Sequence, residues 1–293
     1  MKEIIRITME SDEYPDSLRE IQGSPRELYC IGDISLLKTP CAAIVGSRRY
    51  TIYGRQTALM IGKMLAGRGI TVVSGMAKGI DSFAHQGALS KQEGKTIAVL
   101  GTAIGKPYPA SNAALMEEIE EKGLVISEYP PDFPGSQYGF PARNRIISGL
   151  SKSVIVVEAG LKSGSLITAQ IAGDQGKTVF AVPGNINSQF SIGTNLLIRD
   201  GAYPLVVVDD VIREMGVQSL NRGIFGEDQE GFPVEMDDDE KKLYSEIRQE
   251  QGISPDALSE KVELPISKIN GILTVMEIKG AIMMCSGRIF LNH

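Results

Sequence analysis

Between Cys41 and about Asp210 the chain alternates short apolar runs with longer stretches of mixed polarity. The runs CAAIVG, ITVVSG, TIAVLG, GLVISEY, SVIVVEA, TVFAVPG and YPLVVV are rich in β-branched residues, and most are apolar throughout. Such runs predict strands buried on both faces, as in a parallel sheet covered by helices. The intervening stretches YGRQTALMIGKMLAGRG, DSFAHQGALSKQEG, SNAALMEEIEEKG and SLITAQIAGDQG are amphipathic and close on a glycine, which predicts helices. The expected fold is therefore α/β, a doubly wound and mostly parallel Rossmann-like sheet over residues 41–217.

Residues 1–40 show turn punctuation around Pro15 and Pro25 and little periodicity, so a short N-terminal capping region is expected. A helix DVIREMG fades into a Gly- and Pro-bearing acidic linker, taken as residues 218–238. Over residues 239–293, EKKLYSEIRQEQG, SPDALSEKVEL and PISKINGILTVMEIKG predict three helices, and AIMMCSGRIFLNH a β-hairpin turning at Ser286-Gly287. Three helices and a wing make a small winged-helix domain, of a kind that binds DNA or protein. Its supposed recognition helix carries only Lys268 and Lys279 as cations, so protein contact is as reasonable as groove reading.

With 293 residues, 42% hydrophobic and 23% charged, the chain has the balance of a soluble globular protein. No apolar run reaches membrane-spanning length and no leader pattern opens the chain, so cytoplasm is the expected location. Cys30, Cys41 and Cys285 are scattered among apolar residues without metal-ligand spacing, which suits reduced packing residues. No metal or cofactor is expected. A net charge of -6 argues at first against a polyanionic partner. Eight acidic residues between Glu227 and Glu240 account for it, and without them the remainder carries +2, which leaves room for a locally basic groove.

Five glycine-bearing segments carry the candidate chemistry. VGSRRYTIYG ends the first strand of the α/β region, where Gly46 and Ser47 expose backbone N–H groups before a helix and Arg48 adds a fork of donors for phosphate. It matches neither the dinucleotide fingerprint nor a P-loop, and a tight turn with solvated arginines is the plain alternative. In SGMAKGIDSFAH, Gly75 and Gly79 allow close backbone approach and Lys78 projects from the same rim. Asp81 suits a helix cap better than a catalytic role, and His85 reads as packing or surface. GTAIGKPYPASN places Tyr108 and Asn112 in a shaped loop at a strand's carboxyl end, with Tyr108 either stacking on a base or packing on Pro109.

GFPARNRIISGL is the densest segment: Phe140 offers a face for a base, and Arg143, Asn144 and Arg145 offer donors for phosphates. Either arginine could instead serve an internal salt bridge. Lastly, Lys162, Ser163, Gly164 and Ser165 form a turn into a helix, another N-terminus suited to an anion. Glu158 has no nucleophile, metal cluster or second positioned carboxylate to make it a general base.

Taken together, VGSRRYTIYG, SGMAKGID, YPASN, the long block from FPARNRII to AVPG, and GTNLLIRDGA resemble the DNA-processing protein A family (DprA/Smf), in order and at the expected spacing. The likeness covers about residues 14–210, and the closing module is similar to the winged-helix tail many members carry. The resemblance implies a Rossmann-like core that binds single-stranded DNA, protects it, acts as a homodimer and loads the RecA recombinase during natural transformation or related recombination. It further implies Arg48 in a phosphate pocket, Phe140, Arg143 and Arg145 along the DNA path, and Lys78 and Lys162 as supporting cations. The alternative from another class is a Rossmann-like enzyme that binds nucleotides or hydrolyses nucleoside monophosphates, whose usual Pro-Gly-Gly-x-Gly-Thr loop is represented here only by AVPGNI.

Overall fold

The structure, a computed structural model, describes residues 3–136, 138–216, 236–250, 252–285 and 287–291. The chain divides into two units, residues 1–220 and 221–293. In the first, the chain runs β1 (Ile5–Thr8), α1 (Asp16–Arg19), β2 (Glu27–Gly32), β3 (Cys41–Val45), α2 (Ile52–Ala66), β4 (Thr71–Ser74), α3 (Ile80–Leu89) and β5 (Thr96–Leu100). It continues through α4 (Ala113–Lys122), β6 (Leu124–Ser127), α5 (Gly139–Leu150), β7 (Ser153–Val156), α6 (Gly164–Asp174), β8 (Thr178–Ala181), α7 (Ile192–Arg199), β9 (Tyr203–Pro204) and α8 (Val208–Glu214).

The nine strands form one sheet in the order β1-β2-β6-β5-β4-β3-β7-β8-β9. From β6 to β9 every pairing is parallel, as the uninterrupted apolar runs require, since helices cover both faces. In β3, Ala42 and Ile44 pack with Ala58, Ile61 and Leu65 of α2 and Ala84 of α3. Cys41, Ala43 and Val45 point to the opposite layer, with Ile146, Ile147 and Leu150 of α5 and Ala169 and Ala172 of α6. Strand succession runs outward from β3 through β4 and β5 to β6, then resumes on the other side of β3 at β7. That reversal opens a crevice beyond the carboxyl ends of β3 and β7, where open α/β sheets hold ligands.

Two sequence expectations change. Residues 1–40, expected as a capping region, are part of the sheet: β1 pairs with β2 and β2 with β6, both antiparallel. Tyr14, Leu18, Ile21 and Leu28 join the core beneath α5, and strands of four to six residues are too short for their alternation to stand out. The run YPLVVV supplies only the two residues of β9. Pro204 has no N–H to extend a ladder, and Asp209 and Asp210 favour the first turn of α8. GFPARNRIISGL, to which no element was assigned from the sequence, is the helix α5.

The second unit contains α9 (Asp238–Gln249), α10 (Pro255–Val262), α11 (Ile266–Ile278) and the antiparallel hairpin β10 (Ile282–Cys285) and β11 (Arg288–Leu291) around its own apolar cluster. Most of the expected acidic linker, Ser286 and the side chain of Cys285 lie outside the described residues. Asp237 caps α9 in a reciprocal box with Glu240. Of the two cations expected on α11, Lys268 pairs with Asp239 at 2.6 Å, and Lys279, which follows the helix, pairs with Glu240 at 2.7 Å. Among the described residues no helix is long and apolar enough to cross a membrane.

Because Ile44 is fully buried in the central strand, Ile44→Ala should cost about 2–5 kcal/mol. The loss should appear as a lower urea midpoint with an unchanged slope.

Candidate nucleic-acid interface

Two adjoining hollows lie along the carboxyl edge of the sheet. The larger, about 410 Å³, is walled by the turn after β3 (Gly46, Ser47, Arg48), by Phe140, Arg143 and Asn144 on α5, and by Lys162 and Ser163 before α6 with Gly164 and Ser165 at its start. The smaller, about 230 Å³, is lined by Gly75, Lys78, Tyr108 and Pro109, and shares Arg48, Ala77, Phe140 and Arg143 with the first. Phe140 stands between them. Its ring lies 4.9 Å from that of Tyr108, and the Arg48 guanidinium sits 5.9 Å from its centroid.

Charge in this groove is one-sided. Arg48, Arg49, Lys78, Arg143 and Lys162 line it, against Asp81 as the single carboxylate. Arg48, Arg49, Lys78 and Lys162 are exposed, and among the described residues none of their side chains has a hydrogen bond or ion pair. Cations left unpaired around a concave surface favour a polyanionic ligand. The N-terminus of α6 opens into the same space with no acidic residue in its first turn, and the hydroxyls of Ser163 and Ser165 share a hydrogen bond of 2.8 Å.

The rim is shaped by close backbone approach. Gly79, at φ +87°, is the N-cap of α3, and a Cβ there would lie 2.5 Å from the Ser47 carbonyl oxygen. At Gly75 a Cβ would lie 2.5 Å from Nη1 of Arg143. That guanidinium is buried, donating to the carbonyls of Gly75 at the end of β4 and Val99 in β5. Burial brings it down to about 10, with Asp81 opposing the shift and Arg48 adding to it. Asp81 is not the cap of α3; it lies in the first turn, where burial pushes it up to about 6 against the opposing influence of the Arg143 charge and of the backbone N–H groups of Ala77, Gly46 and Gly75.

Other candidates are used internally. Asn112 lines neither hollow: Nδ2 donates to the Met76 carbonyl and to Ser82 Oγ, both at 2.9 Å, fixing the turn after β4. His85 is buried with Nδ1 2.7 Å from Thr96 Oγ1, and burial first, then Arg143, lowers it to about 3. The Glu158 carboxylate accepts from the Thr51 hydroxyl and from the Thr51 N–H at 3.0 Å, while Thr51 caps α2.

Arg145 requires a correction. Two residues from Arg143 on the same helix, it projects from a different face and lines a separate hollow with Glu20, Gln22 and Lys177. Nη2 donates to Glu128 at 2.6 Å, Nε to the Gly23 carbonyl at 2.7 Å and Nη1 to the Ala142 carbonyl at 2.8 Å. Arg145 therefore ties α5 to the N-terminal segment and the end of β6. Sequence reasoning missed Arg49, although it adjoins Arg48 in the same turn, and missed Asp81 as part of the wall.

Residues 5–216 match the family described as DNA recombination-mediator protein A. The chain is 35% identical over 289 residues to Protein Smf of Escherichia coli, spanning 96% of this chain and 75% of the relative. It is 44% identical over 205 residues to DNA processing protein DprA of Streptococcus pneumoniae, spanning 69% and 71%. The solved structure of the latter superposes with a TM-score of 0.69 at 42% identity, over 72% of this chain and 74% of that one. DNA processing protein A from Helicobacter pylori, whose structure is described for its single-stranded DNA binding mode, gives a TM-score of 0.64 at 36% identity, over 71% and 94%.

Gly75→Ala should displace the buried Arg143 guanidinium and lower the melting temperature. Arg145→Ala, which leaves the Glu128 carboxylate and the Gly23 carbonyl without their donor, should cost about 1–3 kcal/mol. Thermal and urea unfolding of the two variants check both outcomes.

Proposed function

The chain belongs to the DNA recombination-mediator protein A family, and on that premise we propose that its groove holds single-stranded DNA for delivery to the RecA recombinase. Arg48 is the observation that carries this reading: an exposed guanidinium without a carboxylate partner, placed over the Phe140 ring where the two hollows meet. Phosphates would run along Arg48, Arg49, Lys78 and Lys162 and the N-terminus of α6, while Phe140 and Tyr108 give bases a stacking face. Binding of this kind depends weakly on sequence and strongly on salt. Residues 41–217 would be the DNA-binding domain, acting as a homodimer in the cytoplasm. Residues 239–293 would form a winged-helix domain that contacts protein, since the cations at Lys268 and Lys279 are already paired with carboxylates.

Binding without catalysis is supported by the two buried carboxylates nearest the groove. Glu158 is committed to Thr51, and Asp81 is buried under the influence of the Arg143 charge. The Thr51 hydroxyl beside Glu158 serves as the cap of α2 and lines neither hollow.

Arg48→Ala and Lys162→Ala should each weaken binding to single-stranded oligonucleotides of every sequence and reduce the log–log salt slope by about 0.7 for each phosphate no longer neutralised. Phe140→Ala should cost about 1–3 kcal/mol. Arg145→Ala, once allowance is made for stability, should bind as the unmodified chain does. Anisotropy titrations across salt read all four, and near-normal binding by Arg48→Ala and Lys162→Ala together at moderate salt would overturn the assignment.

A further inference from the structure

Inside the groove, the ring of Phe140 lies 4.9 Å from that of Tyr108 and 5.9 Å from the Arg48 guanidinium. The same trio of residue types recurs past the turn after β3. There the ring of Phe83 in α3 lies 4.7 Å from that of Tyr50, edge to face, and 5.4 Å from the guanidinium of Arg55 in α2. Tyr50 and Tyr108 are comparably open to solvent, at 45% and 50%. Arg55 is exposed like Arg48, and among the described residues its side chain has no hydrogen bond or ion pair. Tyr50, Arg55 and Phe83 line neither hollow. Phe83 packs with the layer of α2 and α3, whereas Phe140 stands on α5 of the opposite layer, so the two trios flank one turn. Arg48 and Tyr50, two residues apart in that turn, have Cα atoms at most about 7 Å from each other.

We propose that Tyr50, Phe83 and Arg55 form a second stacking platform, onto which a single strand passes when it leaves the groove over the turn after β3. Tyr50 takes a base, Phe83 holds Tyr50 and Arg55 in place, and Arg55 takes the adjoining phosphate. Charge favours this course. Residues 46–95 carry eight Lys and Arg against Asp81 and Glu93, and Asp81 is buried. The positive field therefore continues from Arg48 and Arg49 to Arg55 and on to the exposed Lys63 and Lys91. A tyrosine needed only to pack against Phe83 would gain by covering its ring, yet nearly half of Tyr50 stays in water beside an unpaired cation. The bound strand is thereby longer than the hollows, and its affinity depends on nucleotides that lie beyond them.

Because this platform rests on the reading of the groove as a DNA site, the experiment separates the two. Labelled oligothymidylates from about 4 to about 16 nucleotides are titrated by anisotropy at constant salt. For the unmodified chain, affinity should rise with length past what the hollows hold. Tyr50→Leu, which keeps an apolar side chain without a stacking face, and Arg55→Gln should each leave the shortest oligonucleotide bound as before and weaken the longest about tenfold. Tyr50→Phe, which keeps the ring, should bind both lengths as the unmodified chain does. The chain has no tryptophan, so Tyr50→Trp adds a single reporter, whose fluorescence the longest oligothymidylate should quench and the shortest should not. Three results overturn the platform while the DNA reading stands: equal affinity of Tyr50→Leu and the unmodified chain for the longest oligonucleotide, an equal loss at every length, or an unquenched Tyr50→Trp. If no oligonucleotide binds the unmodified chain, the DNA reading falls and the platform falls with it.

Discussion

A guanidinium held almost out of water is the constraint around which the upper edge of the sheet is arranged. Arg143 carries its charge into the core, where an unpaired ion is costly, so each group near it must serve as a partner or stay small. Carbonyl oxygens of Gly75 and Val99 accept its donors, and Asp81 supplies the opposing charge. Gly75 must remain glycine because the guanidinium fills the space of a side chain. With the ends of β4 and β5 fixed this way, the loops above them can present exposed cations without folding back on each other.

Much of this was legible in the sequence, for a physical reason. Strands covered on both faces lack polar interruptions, and seven such runs located the parallel sheet, though YPLVVV shrank to the two residues of β9. The family resemblance agreed with the match over residues 5–216. The antiparallel strands β1 and β2 were too short to announce themselves. Helix α5 was hidden by Pro141, which a first helical turn tolerates. Its concealment explains the error at Arg145: in a loop, neighbouring arginines can point together, whereas on a helix positions 143 and 145 diverge. The period of a helix over these residues groups Phe140 with Arg143, Asn144 and Ile147, all of which line the larger hollow.

Polar residues at the rim fall into two kinds that look alike in one dimension. Asn112 and Glu158 are turned inward and hold turns in place. Arg48, Lys78 and Lys162 are turned outward and are left for a ligand. Only the identity of what surrounds each group separates them, and that depends on which strand ends the topology brings together.

The strand at one border of the sheet, β9, is two residues long and its second residue is Pro204, paired with Ala181 of β8. Lacking an amide hydrogen and offering so little extended backbone, this margin is a poor template for an incoming polypeptide. A protein built on a broad, apolar, parallel sheet is thereby guarded on that flank against growing into fibrillar stacks with its own kind.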